Sequence, residues 1–492
     1  MKWLNDRANI LGTVALVFAG ALVAFCAYDL SPLIDWPGID GAVFIYVARS
    51  MREGLLPYLD VFDHKGPMIY IFNWIGLAID GGGVRGIWML DVALFAISLA
   101  YAVKWIKRLY GAVSVGLFAV VYFSLLVWSA QGGNVTETWA IYFIIPIVVN
   151  MVKRIEGCGT VLDDLFVGVS ISIILLLRPN MLVCGIVYCL HVLIDAVSRR
   201  DAKLFAMRTA MVVAGMAAVL APVLIWLGYS GALSACWRDY ITFNLSYLSS
   251  ESSNEAVNPR LWHSAILIGI TGLIGFGIAK DGKKSFWWMF AACLLSWAIV
   301  AMKTSFSHYF VVLSAPIGLF AAVCAGWNRW KVFARLVFAF ASIWLLYFFA
   351  CGTVFHVVHL PSVKENISKR EMPTSIKSIL WDYNEKYDRL VEFAPMIKDK
   401  NSVLVLGNDC TVYEKLGARS KTRYPYQSPI TRISIEIHDD VANAITNGVD
   451  RYIICSKDYS EFPIELMPFA PYKAISETDE YSLFERIEDE DI

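Results

Sequence analysis

Carboxylates beside a lysine are the most chemically capable grouping in this sequence. Between Trp36 and Tyr70 the chain reads WPGIDGAVFIYVARSMREGLLPYLDVFDHKGPMIY, which gathers Asp40, Asp60, Asp63, His64 and Lys65. A carboxylate there could take a proton from a hydroxyl, and the ammonium could neutralise a phosphate. Other capable groups lie further along: Asp91, Glu137 after Gly132-Gly133-Asn134, Arg178 ahead of Pro179, and His308-Tyr309 downstream of Lys303. Each has a plainer reading too. Asp40 could cap a helix, Glu137 could sit favourably on a helix dipole, and Arg178 and Lys303 could snorkel from the ends of spans. Asp91 reads either as a functional acid or as a packed hydrogen-bond partner. Asn134-Val135-Thr136 is a sequon, a common pattern.

The elements that must hold these groups are apolar helices. With 492 residues, 57% of them hydrophobic and only 17% charged, and a mean hydropathy of +0.55, the chain is no soluble protein. Seventeen tryptophans suit a polytopic membrane protein with aromatic belts. Apolar runs at 10–28, 86–103, 111–128, 138–152, 162–177, 180–197, 207–228, 262–279, 286–302, 308–325 and 331–350 give about eleven spans. Basic residues then fall on alternate loops without a break: Lys104, Lys107 and Arg108; Lys153 and Arg154; Arg199, Arg200, Lys203 and Arg208; Lys280, Lys283 and Lys284. By the positive-inside rule that side is the cytoplasm. The N-terminus is then cytoplasmic in a multi-pass protein of the cell (inner) membrane. Asp40–Lys65, 129–137, the Arg178 turn, 229–261 and the tail lie outside it. The first run is long enough to be a retained anchor rather than a signal peptide. The net charge of −1 says nothing about partners, because the charges are segregated by side; no nucleic-acid partner is expected, and ten cysteines without CxxC or Cys/His spacing point to no zinc site or disulfide framework.

Local patterns refine this. Asp40 to Gly54 reads as an amphipathic helix lying along the interface, with Val43, Phe44, Val47 and Met51 on one face, Arg49, Arg52 and Glu53 away from it, and Pro57 ending it. Met68 to Ile79 reads as a second apolar helix. The loop 229–261 is rich in serine and carries Trp237, Tyr240 and Tyr247, which could pack on a sugar or a prenyl chain. It reads either as a lid that closes on substrate or as a static cap against the tail. The division expected is 1–351, a transmembrane catalytic domain, and 352–492, an extracytoplasmic α/β domain. Its strand-like runs are Ser402–Leu406, Tyr452–Cys455 and Ser482–Phe484, with helices near 376–397 and 437–447. Leu406-Gly407-Asn408-Asp409 follows a strand as a nucleotide-binding turn would, but no GxGxxG accompanies it.

In combination these residues resemble the GT-C glycosyltransferases, in particular bacterial relatives of the protein O-mannosyltransferases and of the lipid A aminoarabinose transferase. The resemblance covers roughly 1–350. It rests on Asp40-Gly-Ala-Val-Phe-Ile-Tyr46-Val-Ala48, on Asp63-His64-Lys65-Gly66-Pro67, on GGNVTE at 132–137, and on His308-Tyr309 ahead of Pro316. It implies an all-α polytopic fold of GT-C type that transfers a hexose or pentose, with inversion, from a polyprenyl-phosphate sugar lipid. The acceptor would be a glycan, lipid or protein at the outer face, amid membrane lipids. Asp40 would be the general base or its partner, with Asp63 and Glu137 as further acids. Lys65 would bind the donor phosphate, helped by Arg178, His308 and Tyr309. No cofactor is required, although the carboxylates leave room for a divalent metal. The competing class is a transporter or flippase of lipid-linked sugars. It would place ionisable groups near span centres, whereas here they crowd the outer ends.

Overall fold

Each apolar run read between 86 and 325 falls on a helix, because in lipid the backbone must satisfy its own hydrogen bonds. The computed structural model describes residues 37–129, 132–250, 259–279, 284–302, 306–326, 389–457 and 471–487, with parts of 12–32. Among these, five helices are long and apolar enough to cross a membrane: Arg85–Tyr110, Thr136–Ile155, Ala202–Tyr229, Lys284–Ala301 and Ser307–Ala325. The run 331–350, Lys280 and Lys283, and Lys303 lie outside the described residues.

Two compact units interleave along the chain. The first takes Met1–Asp35, Ile87–Leu224 and Asn254–Glu371, the second Trp36–Gly86, Ile225–Ser253 and Met372–Ile492. Within the first unit, Thr136–Ile155 and Ser307–Ala325 are central, with 78% and 89% of their spanning windows buried, against 22% for Ala202–Tyr229. Small residues let these helices approach closely, the usual device where lipid removes the hydrophobic drive between them. A Cβ on Gly168 would lie 2.0 Å from the Val212 carbonyl oxygen, and one on Gly215 would lie 2.0 Å from that of Leu165. Helices Val161–Leu177 and Ala202–Tyr229 therefore touch backbone to backbone.

In the second unit the helix Ile39–Arg52 differs from the interfacial helix expected. Gly41 to Ala48 and Ser50 are all buried, so the apolar stripe continues around the helix. The reason is the tail. Tyr46 packs on Tyr413 with ring centroids 4.7 Å apart and accepts a hydrogen bond from the Ser420 amide. Arg49, expected to point away, forks onto both carboxylate oxygens of Glu414. The helix also ends sooner than Pro57. Gly54 adopts φ +91°, its N–H bonds the Met51 carbonyl, and the Leu55 N–H bonds that of Ser50. This is a Schellman closure, which glycine alone enters without strain. Pro67 opens the next helix, Pro67–Ile79, at its first turn, where its missing N–H costs nothing.

The tail forms a four-stranded sheet of order β1-β2-β4-β3: β1 Val403–Leu406, β2 Tyr452–Ser456, β3 Tyr472–Glu477 and β4 Tyr481–Arg486. β1 and β2 are parallel, and β4 runs antiparallel to both of its neighbours. Ile435–Thr446 supplies the crossover helix near the place expected, while most of 376–397 is outside the described residues. β3 was not legible because it is a largely exposed edge strand with no apolar alternation.

The glycine contacts can be tested directly. Gly168→Leu should lower stability in detergent by about 1–3 kcal/mol, the range for overpacked cores. Gly269→Ala, whose added methyl would meet nothing within 4 Å, should be neutral or should stabilise by up to roughly 1 kcal/mol. Equal melting temperatures for the two variants would disprove the close approach.

Candidate functional site

In the second unit the Asp63-His64-Lys65 turn is a heavily bonded polar segment of the stretch between Trp36 and Tyr70. Asp63 is 2% exposed. Its Oδ1 accepts from the His64 amide and from the Tyr426 hydroxyl, each at 2.7 Å, and its Oδ2 accepts from the Tyr70 hydroxyl at 2.7 Å. Burial pushes its pKa up, while the Lys65 charge and these donors pull the other way without cancelling the rise. The donors come from three parts of the unit: the turn itself, the helix Pro67–Ile79 and the tail.

Around Asp63 the backbone is pinned just as firmly. Tyr58 is fully buried at φ +68°, a region few non-glycine residues occupy. Its hydroxyl donates to the Lys65 carbonyl at 2.8 Å, and its own carbonyl receives the Arg423 guanidinium. The Phe62 amide donates to the Arg423 carbonyl at 2.7 Å, and Asn244 donates to the His64 carbonyl at 2.6 Å. Lys65 is half-buried, with its ammonium 2.7 Å from His64 Nε2. Asp60 is exposed and accepts from the Leu56 amide at 2.7 Å, which makes it part of the turn.

Asp40 is differently placed. Gly38 is the N-cap of its helix, so the capping role read for Asp40 does not hold. Asp40 lies half-buried in the first turn and is close enough to Tyr426 to affect that hydroxyl electrostatically. Among the described residues its carboxylate has no hydrogen-bond or ion-pair partner.

Residues 233–250, within the stretch read as a long loop, are helical. A short helix Leu233–Cys236 leads through a π-helical turn, Trp237–Thr242, into Phe243–Ser250. Tyr240 is buried, Tyr247 stacks on His64 with centroids 5.8 Å apart, and Trp237 is 65% exposed. Arg423 pairs with Asp239. These ties match the static-cap reading for 237–247; residues 251–258 lie outside the described ones.

The first unit holds a second polar cluster. Glu137 occupies the first turn of Thr136–Ile155, 2% exposed, and accepts from the Thr136 hydroxyl at 2.9 Å. The Arg178 guanidinium hydrogen-bonds its Oε1 and lies 4.4 Å from the Tyr309 ring centroid. His308 Nε2 is 4.0 Å from the same oxygen. Arg178, Glu137, His308 and Tyr309, distant in sequence, therefore meet, and the arginine's charge is matched by the glutamate's. Glu137 and Tyr309 line one part of a small open recess whose other walls include Ile144, Met181, Val183, Ile299 and Val300. Asn134 of the sequon is 6% exposed and accepts from the Trp139 indole N–H, so its amide is no acceptor for a glycan. Asp91 is buried beside Tyr142, which in turn bonds Tyr28. Its Oδ1 is buried without a hydrogen-bond partner among the described residues. Among the described residues no three His, Cys, Asp or Glu side chains are grouped as metal ligands would be.

Sequence reasoning missed Tyr58, Tyr70 and Tyr426. A tyrosine in an apolar run carries no spacing signal for the carboxylate it will meet. Only Tyr70, seven residues from Asp63 at the start of a helix, offered a local hint.

This architecture, an apolar helical bundle with a small sheet at its C-terminal end, is the fold of the GT-C class. The aminoarabinose transferase ArnT from Cupriavidus metallidurans matches in its apo state with a TM-score of 0.64 at 12% identity, covering 96% of this chain and 97% of that one. Its undecaprenyl-phosphate-bound form matches with the same TM-score at 13% identity and the same coverage. The Archaeoglobus fulgidus oligosaccharyltransferase in its apo form matches with a TM-score of 0.55 at 10% identity over 93% of this chain and 70% of its own. The chain belongs to the family of the putative competence-induced protein Ccs4 N-terminal domain, whose model matches residues 5–328. No curated protein sequence matches it.

The buried pair in the first unit yields a prediction. Arg178→Ala should cost about 3–5 kcal/mol of stability by leaving the Glu137 carboxylate buried without its cation. Adding Glu137→Gln should restore most of that loss in thermal unfolding. A double variant no more stable than Arg178→Ala alone would show that the two side chains are not coupled.

Proposed function

We propose that this protein is a glycosyltransferase that moves a sugar from a polyprenyl-phosphate-linked donor to a hydroxyl on a glycan, lipid or protein outside the membrane. The observation that carries the reading is the contrast between two carboxylates in one unit. Asp63 has its oxygens engaged by three donors, whereas Asp40 is half-buried and has no hydrogen-bond or ion-pair partner among the described residues. A general base needs a lone pair it can offer, and Asp40 has one. The GT-C fold supports the reading, as does the lysine held on a pinned turn in the same unit.

In the reaction, Asp40 takes the proton of the acceptor hydroxyl as its oxygen bonds to the anomeric carbon. The bond from that carbon to the donor phosphate breaks on the opposite face, so the configuration inverts. Lys65 stabilises the charge that the departing polyprenyl phosphate carries away. Asp63 holds the turn that presents the lysine. A phosphate leaving group is a good one, so positioning and charge neutralisation supply much of the rate. The donor sugar is a hexose or a pentose, and neither cofactor nor metal is needed in this scheme. Arg178, flanked by the Tyr309 ring, and His308 then act through Glu137 rather than as free cations. The tail and the Asp40–Lys65 stretch lie on the outer side of the inner membrane, with the N-terminus in the cytoplasm.

Purified full-length protein supplied with undecaprenyl-phosphate hexoses and pentoses and with envelope glycans should transfer sugar, as read by mass spectrometry. Asp40→Asn should reduce kcat by at least about 100-fold and leave undecaprenyl phosphate binding unchanged. Near-normal turnover in that variant would remove Asp40 from the chemistry. Translocation of the donor across vesicles without any turnover would replace the enzyme by a flippase.

A further inference from the structure

The tail beyond the family match has had no function, yet it reaches into the Asp63 turn. From the Lys65 ammonium a single direction of donation can be followed to a carboxylate. Lys65 Nζ lies 2.7 Å from His64 Nε2, and an ammonium can only donate, so Nε2 must be the accepting nitrogen. The ring proton of a neutral His64 then sits on Nδ1, 3.1 Å from the Tyr426 hydroxyl oxygen. That hydroxyl gives its own proton to Asp63 Oδ1 at 2.7 Å. Every link runs from cation toward anion.

We propose that Tyr426 is a positioning residue for the donor phosphate: it receives the Nδ1 proton of His64, fixes the tautomer whose Nε2 accepts from Lys65, and so aims the ammonium. A hydroxyl is needed for this because it can accept from the imidazole while donating to the carboxylate. The tail is built to hold it there. Tyr426 is 3% exposed and lies next to Gln427, whose amide donates to the Gly407 carbonyl and whose Oε1 accepts from the Gly407 amide, each at 2.8 Å. The turn after β1 is thus filled by the chain's own glutamine, and its product is the placement of Tyr426. On the loop side, Tyr247 stacks on the imidazole and limits its rotation. The tail is therefore an integral part of the phosphate-binding machinery.

This inference rests on Lys65 as the phosphate ligand, and the test separates the two claims. Undecaprenyl phosphate alone is titrated into detergent-purified full-length protein, and transfer kinetics follow with the sugar-bearing donor. Tyr426→Phe should weaken undecaprenyl phosphate binding about tenfold, the effect of losing a charge-assisted hydrogen bond, and should lower kcat/KM for the sugar-bearing donor at least as much, because the same ammonium meets the departing charge. In a Lys65→Ala background the same substitution should cause no further loss, because its effect passes through the ammonium. Tyr424→Phe, which removes a hydroxyl bonded to Asp440, should leave the affinity unaltered. Should Tyr426→Phe lower the melting temperature by several degrees, His64→Gln carries the test by cutting the same chain from the loop. A tenfold loss that persists in the Lys65→Ala background would overturn the relay and make Tyr426 structural. Unchanged affinity in Tyr426→Phe, with Lys65→Ala impaired, would overturn the relay and spare the phosphate reading. Unchanged affinity in Lys65→Ala would overturn both.

Discussion

A carboxylate removed from water must be given donors, and in the second unit that demand organises the surrounding chain. Asp63 obtains its donors from its own turn, from Tyr70 on the helix that follows and from Tyr426 in the tail. Loss of any one would leave part of a buried charge unmatched, so the turn, the helix after it and the sequence-distant tail are obliged to meet at one point. Burial still holds the pKa of Asp63 above its ordinary value, which shows that desolvation outweighs the donors. Both of its oxygens are already taken by donors, which suits the group to fixing geometry.

The first unit solves a different problem. Its helices are apolar on most sides, so packing specificity comes from backbone contact at Gly168 and Gly215 and from a few buried polar pairs. Glu137 with Arg178 is one such pair at a helix start. Lys153 with Asp163, and Arg154 with Asp164 and Tyr188, tie together the opposite end of neighbouring helices. Each pair joins sequence segments that hydrophobicity alone would leave free to rotate.

Much of this was legible. The apolar runs, the Asp63-His64-Lys65-Gly66-Pro67 turn, two flanking helices and three of the four strands announce themselves through composition, Gly and Pro. The buried state of the helix Ile39–Arg52 did not. Its pattern is that of an amphipathic helix, and the partners that cover its other side, Tyr413, Glu414 and Ser420, lie far downstream. The serine-rich segment misled for a related reason. Ser246 donates to the carbonyl four residues before it, so composition read as disorder coexists with a helix. Residue type marks what a side chain can do, whereas the choice between cap, ligand and base is made by neighbours that sequence distance conceals.

That choice is clearest in the two aspartates that the sequence left equivalent. Asp40 and Asp63 both precede glycine-containing turns or helices in one polar stretch, and both could have capped, bonded or reacted. The fold separates them by solvent and donors. Asp63 is sealed in and fully engaged, while Asp40 stands at the open end of its helix with Gly38 already serving as cap. Holding the turn between them requires Tyr58 at positive φ, a conformation worth of order 1–3 kcal/mol of strain. The surroundings over-determine it: the Tyr58 amide donates to the Val61 carbonyl, its carbonyl accepts from Arg423 and its hydroxyl donates to the Lys65 carbonyl. A strained residue fixed at all three of its polar groups cannot relax, and Lys65 inherits that rigidity through its own carbonyl. Under the proposed reading, the ammonium is carried on backbone whose polar groups are already engaged, which is the preorganisation a charge needs if it is to lower a barrier rather than merely bind a ligand.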